Sequence, residues 1–212
     1  MKKKIAIYGA GGFGRETALM ISQINAVNSP WEIIGFFDDG IPKETTVDGL
    51  LVLGGMKELN SYQSDLSICL AVADPDIRRD LVSKISNNKI DFPVMIHPLA
   101  NIGDVERNRF GKGSILTAGT ILTTQISIGD FCIVNLSVTV GHDVNLGSYC
   151  TIMPGCNISG NVDIGEGSLL GTGTRIIQGI KIGDRCVVGA GAVVTKSFEN
   201  NKKIMGVPAR SI

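Results

Sequence analysis

Aromatic residues make up only 5% of this 212-residue chain, and it holds two histidines, His97 and His142. A zinc site built on three histidines is therefore out of reach. Charge of one sign is also lacking: 20 basic residues balance 20 acidic ones, so nothing draws the whole protein to nucleic acid or an anionic membrane. No apolar run approaches the ~20 residues needed to span a bilayer. Lys2, Lys3 and Lys4 precede a short apolar segment that breaks into glycines at Gly9, which reads as a first strand rather than a signal peptide. The five cysteines, Cys69, Cys132, Cys150, Cys156 and Cys186, are odd in number and form no C-x-x-C, which argues against a disulfide framework. A soluble, cytoplasmic protein is the expectation. What is plentiful is glycine, 27 residues, together with Ile and Val. That mixture favours β structure with many tight corners.

The chain divides into two halves of different period. In the first, strand-like segments at 4–8, 31–37, 66–72 and 92–96 alternate with helix-like segments at 15–24 and 76–85, as in a doubly wound parallel sheet. Ala18, Leu19 and Ile21 are the residues expected to pack the first helix inward. Between the first strand and that helix lies Gly9-Ala10-Gly11-Gly12-Phe13-Gly14, a match to G-x-G-x-x-G. Such glycines allow a tight turn and close backbone approach, and the helix N-terminus offers free N–H groups to a phosphate. Asp38 ends the second strand, where an acid could bond a ribose or base. A dinucleotide needs two mononucleotide-binding halves, and the roughly 95 residues before the second half of the chain supply one. A nicotinamide dehydrogenase is disfavoured on that ground, and a single nucleotide carrying a sugar is the preferred ligand.

From about residue 100 a six-residue period takes over. Phe110, Leu116, Leu122, Ile128, Val134, Val140, Leu146, Ile152, Ile158, Ile164, Leu170, Ile176, Ile182, Val188 and Val194 are all apolar. A 43% hydrophobic composition would place only about six or seven apolar residues at those fifteen positions. Glycine often follows the marker, as at Gly129, Gly141, Gly147, Gly165, Gly171, Gly183 and Gly189, and is read as a corner residue tolerant of unusual φ/ψ. Four residues after the marker the side chain is small or branched, from Ser114 to Ala192. This is the pattern of a parallel β-helix of triangular section, with both positions pointing inward. Cys132, Cys150, Cys156 and Cys186 occupy the small inward position and are read as core filler.

The hexapeptide array, closed by Gly206-Val207-Pro208-Ala209-Arg210, resembles the left-handed β-helix acyltransferases. With the front segment, the whole chain resembles the PglD/NeuD type of sugar acetyltransferase. The resemblance implies a nucleotide-sugar-binding Rossmann-like half domain over 1–98 and a left-handed β-helix acyltransferase domain over 99–212. It implies acetyl-CoA as co-substrate, no metal, a homotrimer with active sites between subunits, and a nucleotide-sugar substrate. The matching substrate positions are Gly9, Gly11, Gly12, Gly14, Asp38, Asp39, Ala73, Asp74 and Asn135. Many members carry His where this chain has Phe13.

His142, within Val140-Gly141-His142-Asp143-Val144, lies two places after an inward marker and should point outward. An acceptor amine or hydroxyl must lose a proton as it attacks a thioester, and imidazole suits that task. A carboxylate can fix the tautomer of such a base. By resemblance His142 is the general base, Asp143 its partner, and Gly160 one coil on supplies an amide to the acetyl group. Backbone contacts to CoA fall by the same likeness near Thr172 and Ala190, with Lys196 and Arg210 available for its phosphates. His97, beside Pro98, is weighed as structural. The expected activity is N-acetylation of a nucleotide-linked 4-amino-4,6-dideoxy sugar by direct transfer. Alternatives are O-acetylation of a sialic acid or similar sugar, and a non-catalytic nucleotide-sugar-binding scaffold. A metal-dependent hydratase of the γ-carbonic anhydrase kind is set aside by the histidine count.

Overall fold

The computed structural model describes residues 2–212. The chain forms two compact units: one runs through Ala73 and includes Ile77–Pro93, the other comprises Asp74–Asp76 and Val94–Ile212.

The first unit contains β1 (Lys3–Tyr8), α1 (Gly12–Val27), β2 (Trp31–Phe37), a small hairpin of β3 (Thr46–Val47) and β4 (Leu50–Leu51), α2 (Met56–Asn60) and β5 (Leu66–Leu70). These are followed by α3 (Pro75–Lys84) and β6 (Ile90–Asp91). Four parallel strands form one sheet in the order β2-β1-β5-β6, a single Rossmann-like half as expected. α1 starts within the glycine motif and not after it, with Gly11 at the N-cap. Its buried stripe is Gly14, Thr17, Met20, Ile21 and Ile24, the spacing of one helix face. Leu19, expected to face inward, lies off that stripe and is exposed. The hairpin and α2 had no sequence expectation.

The second unit is a three-sided parallel β-helix. Strands pair at a register of eighteen residues, as in Ile121↔Thr139, Ser127↔Asn145 and Ile133↔Thr151, so three hexapeptides make one coil. A first sheet runs from Ile121–Leu122 to Val193–Val194, and a second from Arg109–Phe110 to Lys181–Ile182. The third continues beyond both, starting at β7 (Met95–Ile96) and ending at Lys203–Gly206 and the antiparallel Ala209–Ser211. The segment 92–96 was expected to be the last strand of the first half. Instead β6 closes the first sheet of that half, and β7 pairs with Ile115–Leu116 in the β-helix. After β6 the chain passes from the first unit to the second between Pro93 and Val94. Pro93 has no amide to carry a ladder onward.

Every marker from Leu116 to Val194 is buried, and Phe110 at the open end is half-buried. The small inward positions are buried too, and one column of them is more than filler. Ser114, Cys132, Cys150, Ser168 and Cys186 each donate a side-chain hydrogen bond to a backbone carbonyl at the corner of the next coil. The acceptors are Gly129, Gly147, Gly165, Gly183 and Glu199, at 2.9–3.2 Å. Small OH and SH donors thus satisfy corner carbonyls that the strand ladder does not reach.

The corner glycines need a different explanation from the one the sequence suggested. Those directly after the marker do not have positive φ. The positive-φ corner falls two residues later, and Gln125, Phe131, Ser137, Asp143, Tyr149, Asn161 and Arg185 adopt it as well as several glycines. Gly129, Gly141, Gly147, Gly165, Gly171 and Gly183 are required because the coils approach too closely there for a side chain, whereas at Gly189 a Cβ would meet first the Met205 side chain, at 3.0 Å. A Cβ on Gly141 would lie 2.7 Å from the Gly160 nitrogen, and one on Gly147 2.6 Å from the Glu166 nitrogen.

Candidate active site

In the first unit the glycine motif lies at the C-terminal ends of β1, β2 and β5, where open α/β sheets bind ligands. Gly9 has φ +100 and donates its N–H to Phe37 O at 2.8 Å. A Cβ on Gly9 would be 3.0 Å from Ala71 O, and one on Gly14 would overlap the Gly9 carbonyl. These two glycines serve the packing of strand and helix. Gly11 and Gly12 would meet nothing within 4 Å, so internal packing does not require them to be glycine. The first turn of α1 has no side-chain cap and no acidic residue, which leaves its positive end open to an anion.

Asp38 and Asp39 turn out to hold the loop scaffold. Asp38 accepts the Ala10 amide on one oxygen and the Gly40 amide on the other, both at 2.8 Å. Asp39 accepts the Tyr8 hydroxyl at 2.6 Å and the Met56 amide at 2.8 Å. The Tyr8 bond, then the Met56 bond, hold the Asp39 carboxyl below the usual range. Burial, with the Asp39 bond second, pushes the Tyr8 phenol well up. The Ala73 carbonyl accepts from the buried Arg78 guanidinium at 3.1 Å, as Val72 does at 2.6 Å. Asp74 accepts the Asp76 amide at 2.9 Å. Tyr8 and Arg78 were not singled out in the sequence, since a tyrosine in a strand and an arginine in a helix carry no distinguishing pattern.

In the β-helix, Thr124, His142, Gly160, Gln178 and Lys196 recur every eighteen residues and line one corner, where the chain leaves the first sheet. His142 and Asp143 are about half exposed, at 53% and 48%, and the His142 Nδ1 lies 2.7 Å from Asp143 Oδ2. Asp143 sits at the positive-φ corner, φ +56, a conformation Asp tolerates better than most residues. That backbone turn brings its short carboxylate back onto the neighbouring ring. Gly160 lies against the same ring, since a Cβ there would be 2.5 Å from both Cε1 and Nε2. With Nδ1 engaged by the carboxylate, Nε2 is the nitrogen available to a substrate proton.

The amides of this corner are open. At the corner leaving the second sheet, the amides of Lys112, Asp130, Glu166 and Asp184 are taken by the side chains of Asp130, Ser148, Asp184 and Asn200. The amides of His142, Gly160 and Gln178 have no such partner among the described residues. Thr172 and Ala190 likewise have unpaired amides, but they stand at the other end of the first sheet, where the chain enters it. One chain thus brings Gly160 to His142 and keeps Thr172 and Ala190 apart from it. Lys196 stands three coils above His142, about 14 Å along the axis at the usual strand spacing, with its Nζ 5.6 Å from the Phe198 ring centroid. Arg210 is exposed in the terminal hairpin, and its guanidinium donates to the Ala209 carbonyl at 2.8 Å. Asn135 is buried, with its side-chain oxygen on the Leu136 amide at 2.7 Å. His97 is buried, accepts the Leu99 amide on Nδ1 at 2.9 Å, and is held below the usual histidine range by that burial.

A β-helix with an outward His–Asp pair beside an unpaired amide, carried on one chain with a half-Rossmann unit, defines the class of hexapeptide acyltransferases. Comparison with known proteins agrees. Residues 4–85 match the PglD N-terminal domain, and residues 143–178 and 161–196 match the bacterial transferase hexapeptide repeats. The acetyltransferase domain of PglB from Neisseria gonorrhoeae, solved with acetyl coenzyme A, is 32% identical with a TM-score of 0.91, each chain covered in full. PerB from Caulobacter crescentus, solved with CoA and GDP-perosamine, is 29% identical with a TM-score of 0.86, covering 99% of this chain and 97% of that one. GDP-perosamine N-acetyltransferase from Escherichia coli O157:H7 is 29% identical over 137 residues, 65% of this chain and 61% of that protein's length. The chain belongs to the PglD-type sugar acetyltransferases, with their left-handed parallel β-helix. Among the described residues no helix is long and apolar enough to cross a membrane.

Proposed function

We propose that this protein transfers the acetyl group of acetyl-CoA to the amino group of a nucleotide-linked 4-amino-4,6-dideoxy sugar. The observation that carries the reading is the His142–Asp143 pair, 2.7 Å apart beside the unpaired Gly160 amide. His142 Nε2 takes the proton from the attacking amine as nitrogen bonds to the thioester carbonyl carbon. Asp143 stabilises the imidazolium that forms and keeps Nδ1 protonated. The Gly160 N–H receives the developing oxyanion. The carbon–sulfur bond then breaks, CoA leaves as thiolate and takes up a proton, and the amide product remains on the sugar. No covalent enzyme intermediate is needed, because two bound substrates held in register supply much of the rate.

Gly11 and Gly12, which nothing in the unit requires to be glycine, leave the α1 N-terminus accessible to the nucleotide phosphates. The relatives solved with CoA and GDP-perosamine or with acetyl coenzyme A support both substrates. Thr172 and Ala190, at the far end of the first sheet from His142, fit an assembly in which the two corners of neighbouring chains face each other across CoA. A homotrimer is the proposed form, and light scattering that finds a monomer under assay conditions would sink it. The five free, buried cysteines suit a reducing compartment, the cytoplasm.

Thiol release from acetyl-CoA, measured against a panel of nucleotide-linked 4-amino sugars and sialic acids, tests the activity. Turnover on one amino sugar, lost in His142→Ala with CoA binding intact, is the expected result. Turnover confined to sialic acids would overturn the choice of amine, and full activity of His142→Ala would remove the histidine from its role.

A further inference from the structure

Gly160 is a glycine that the fold does not need. Its φ is not positive, so the backbone conformation does not call for glycine. Most glycines after the inward markers would drive a Cβ into the backbone of the next coil, as Gly129 would into Ser148 and Gly171 into Ala190. At Gly160 the three nearest atoms all belong to one side chain: His142 Cε1 and Nε2 at 2.5 Å and Cδ2 at 2.9 Å. The imidazole fills the place where a side chain would stand.

We infer that Gly160 is a positioning residue whose missing side chain seats the His142 ring, a role separate from its amide. Two contacts then fix the ring. Asp143 ties Nδ1, and the bare Gly160 backbone receives the far end of the ring, Nε2 with Cε1 and Cδ2 beside it. An exposed histidine without such a seat would sample several rotamers. A methyl group at position 160 keeps the N–H in place and displaces only the ring. The inference rests on the reading of His142 as the base for its catalytic consequence, but the contact itself does not.

Gly160→Ala, alone and combined with His142→Ala, tests it by thermal melting and steady-state kinetics. In the otherwise native chain, Gly160→Ala should lower Tm and reduce kcat by about 100-fold, the cost of displacing a catalytic group by ~1 Å, with little change in KM for acetyl-CoA. In the His142→Ala background the same substitution should leave Tm nearly unchanged, since the three atoms nearest the added methyl are gone. An equal fall in Tm in both backgrounds would mean that the methyl strikes the coil and not the ring. An unchanged kcat would mean that the glycine acts through its amide alone. Should the protein transfer no acetyl group at all, the melting cycle still decides whether the ring is seated on Gly160.

Discussion

Replacing Asp143 by Asn isolates what the carboxylate contributes, because Asn accepts the positive φ of this corner at least as readily as Asp. The variant keeps the side-chain shape and loses the charge. It can also present its NH2 to Nδ1, which would place the proton on Nε2 and leave no base facing the substrate. In a buried triad the equivalent change costs about 10⁴ in kcat. Here the two side chains are 53% and 48% exposed, so water can replace part of the carboxylate's work and the loss must be smaller. A hydrogen bond to a charged group is worth about 1.5–3 kcal/mol, and solvent screening of a half-exposed pair pulls the figure to the lower part of that range. At 1.36 kcal/mol per tenfold in rate, kcat should fall about 10- to 50-fold. KM for acetyl-CoA should hardly move, since Asp143 is not placed to touch CoA. The assay is thiol release at saturating acetyl-CoA and amino sugar. A kcat equal to that of the native chain would refute the role of the pair, whatever the distance between its atoms.

The interior donor column gives a prediction about stability. Ser168 donates to Gly183 O at 2.9 Å and accepts the Cys186 amide at 3.0 Å. Ser168→Ala should therefore strand two buried groups at about 1–3 kcal/mol each and lower Tm by several degrees, whereas Ser168→Cys should melt close to the native chain. An alanine variant as stable as the cysteine one would show the column to be filler. Asp38→Ala frees the Ala10 and Gly40 amides, and should raise KM for the nucleotide sugar about tenfold while kcat stays near its native value. A fall in kcat with unchanged KM would contradict a loop-holding role. Asp39, with its pKa lowered in the folded state, contributes stability that is present above the ordinary carboxylate pKa of about 4 and is lost as pH falls through its lower folded value. Tyr8→Phe removes the main cause of the shift, so acid melts of the variant should lose part of that pH dependence. An identical acid profile would discount the Tyr8–Asp39 bond.

Much of the architecture was legible because it repeats. Fifteen apolar markers at a spacing of six define the coil before any contact is known, since each hexapeptide meets the same neighbours one coil away. The Rossmann-like half was legible from strand–glycine–helix order. Its end was not, because a two-residue strand such as Met95–Ile96 has no local sign of which sheet it will join. Residues 92–96 look continuous in sequence but are divided by Pro93 between two ladders. The site was half visible. A scarce histidine followed by an acid could be singled out, and Gly160 could be placed by likeness.

By itself, the sequence determined the period, the inward side chains and the chemistry on offer, since these depend on residue type and spacing alone. Only the tertiary structure decided what each polar group has as its partner. It gave Asp38 to two backbone amides and Asp39 to Tyr8, set Cys132, Cys150 and Cys186 against carbonyls fifteen or thirteen residues on, and laid the His142 ring across a glycine eighteen residues away. Hydrogen bonds and close contacts are short-range, and coiling brings together atoms that the linear order keeps a full turn apart.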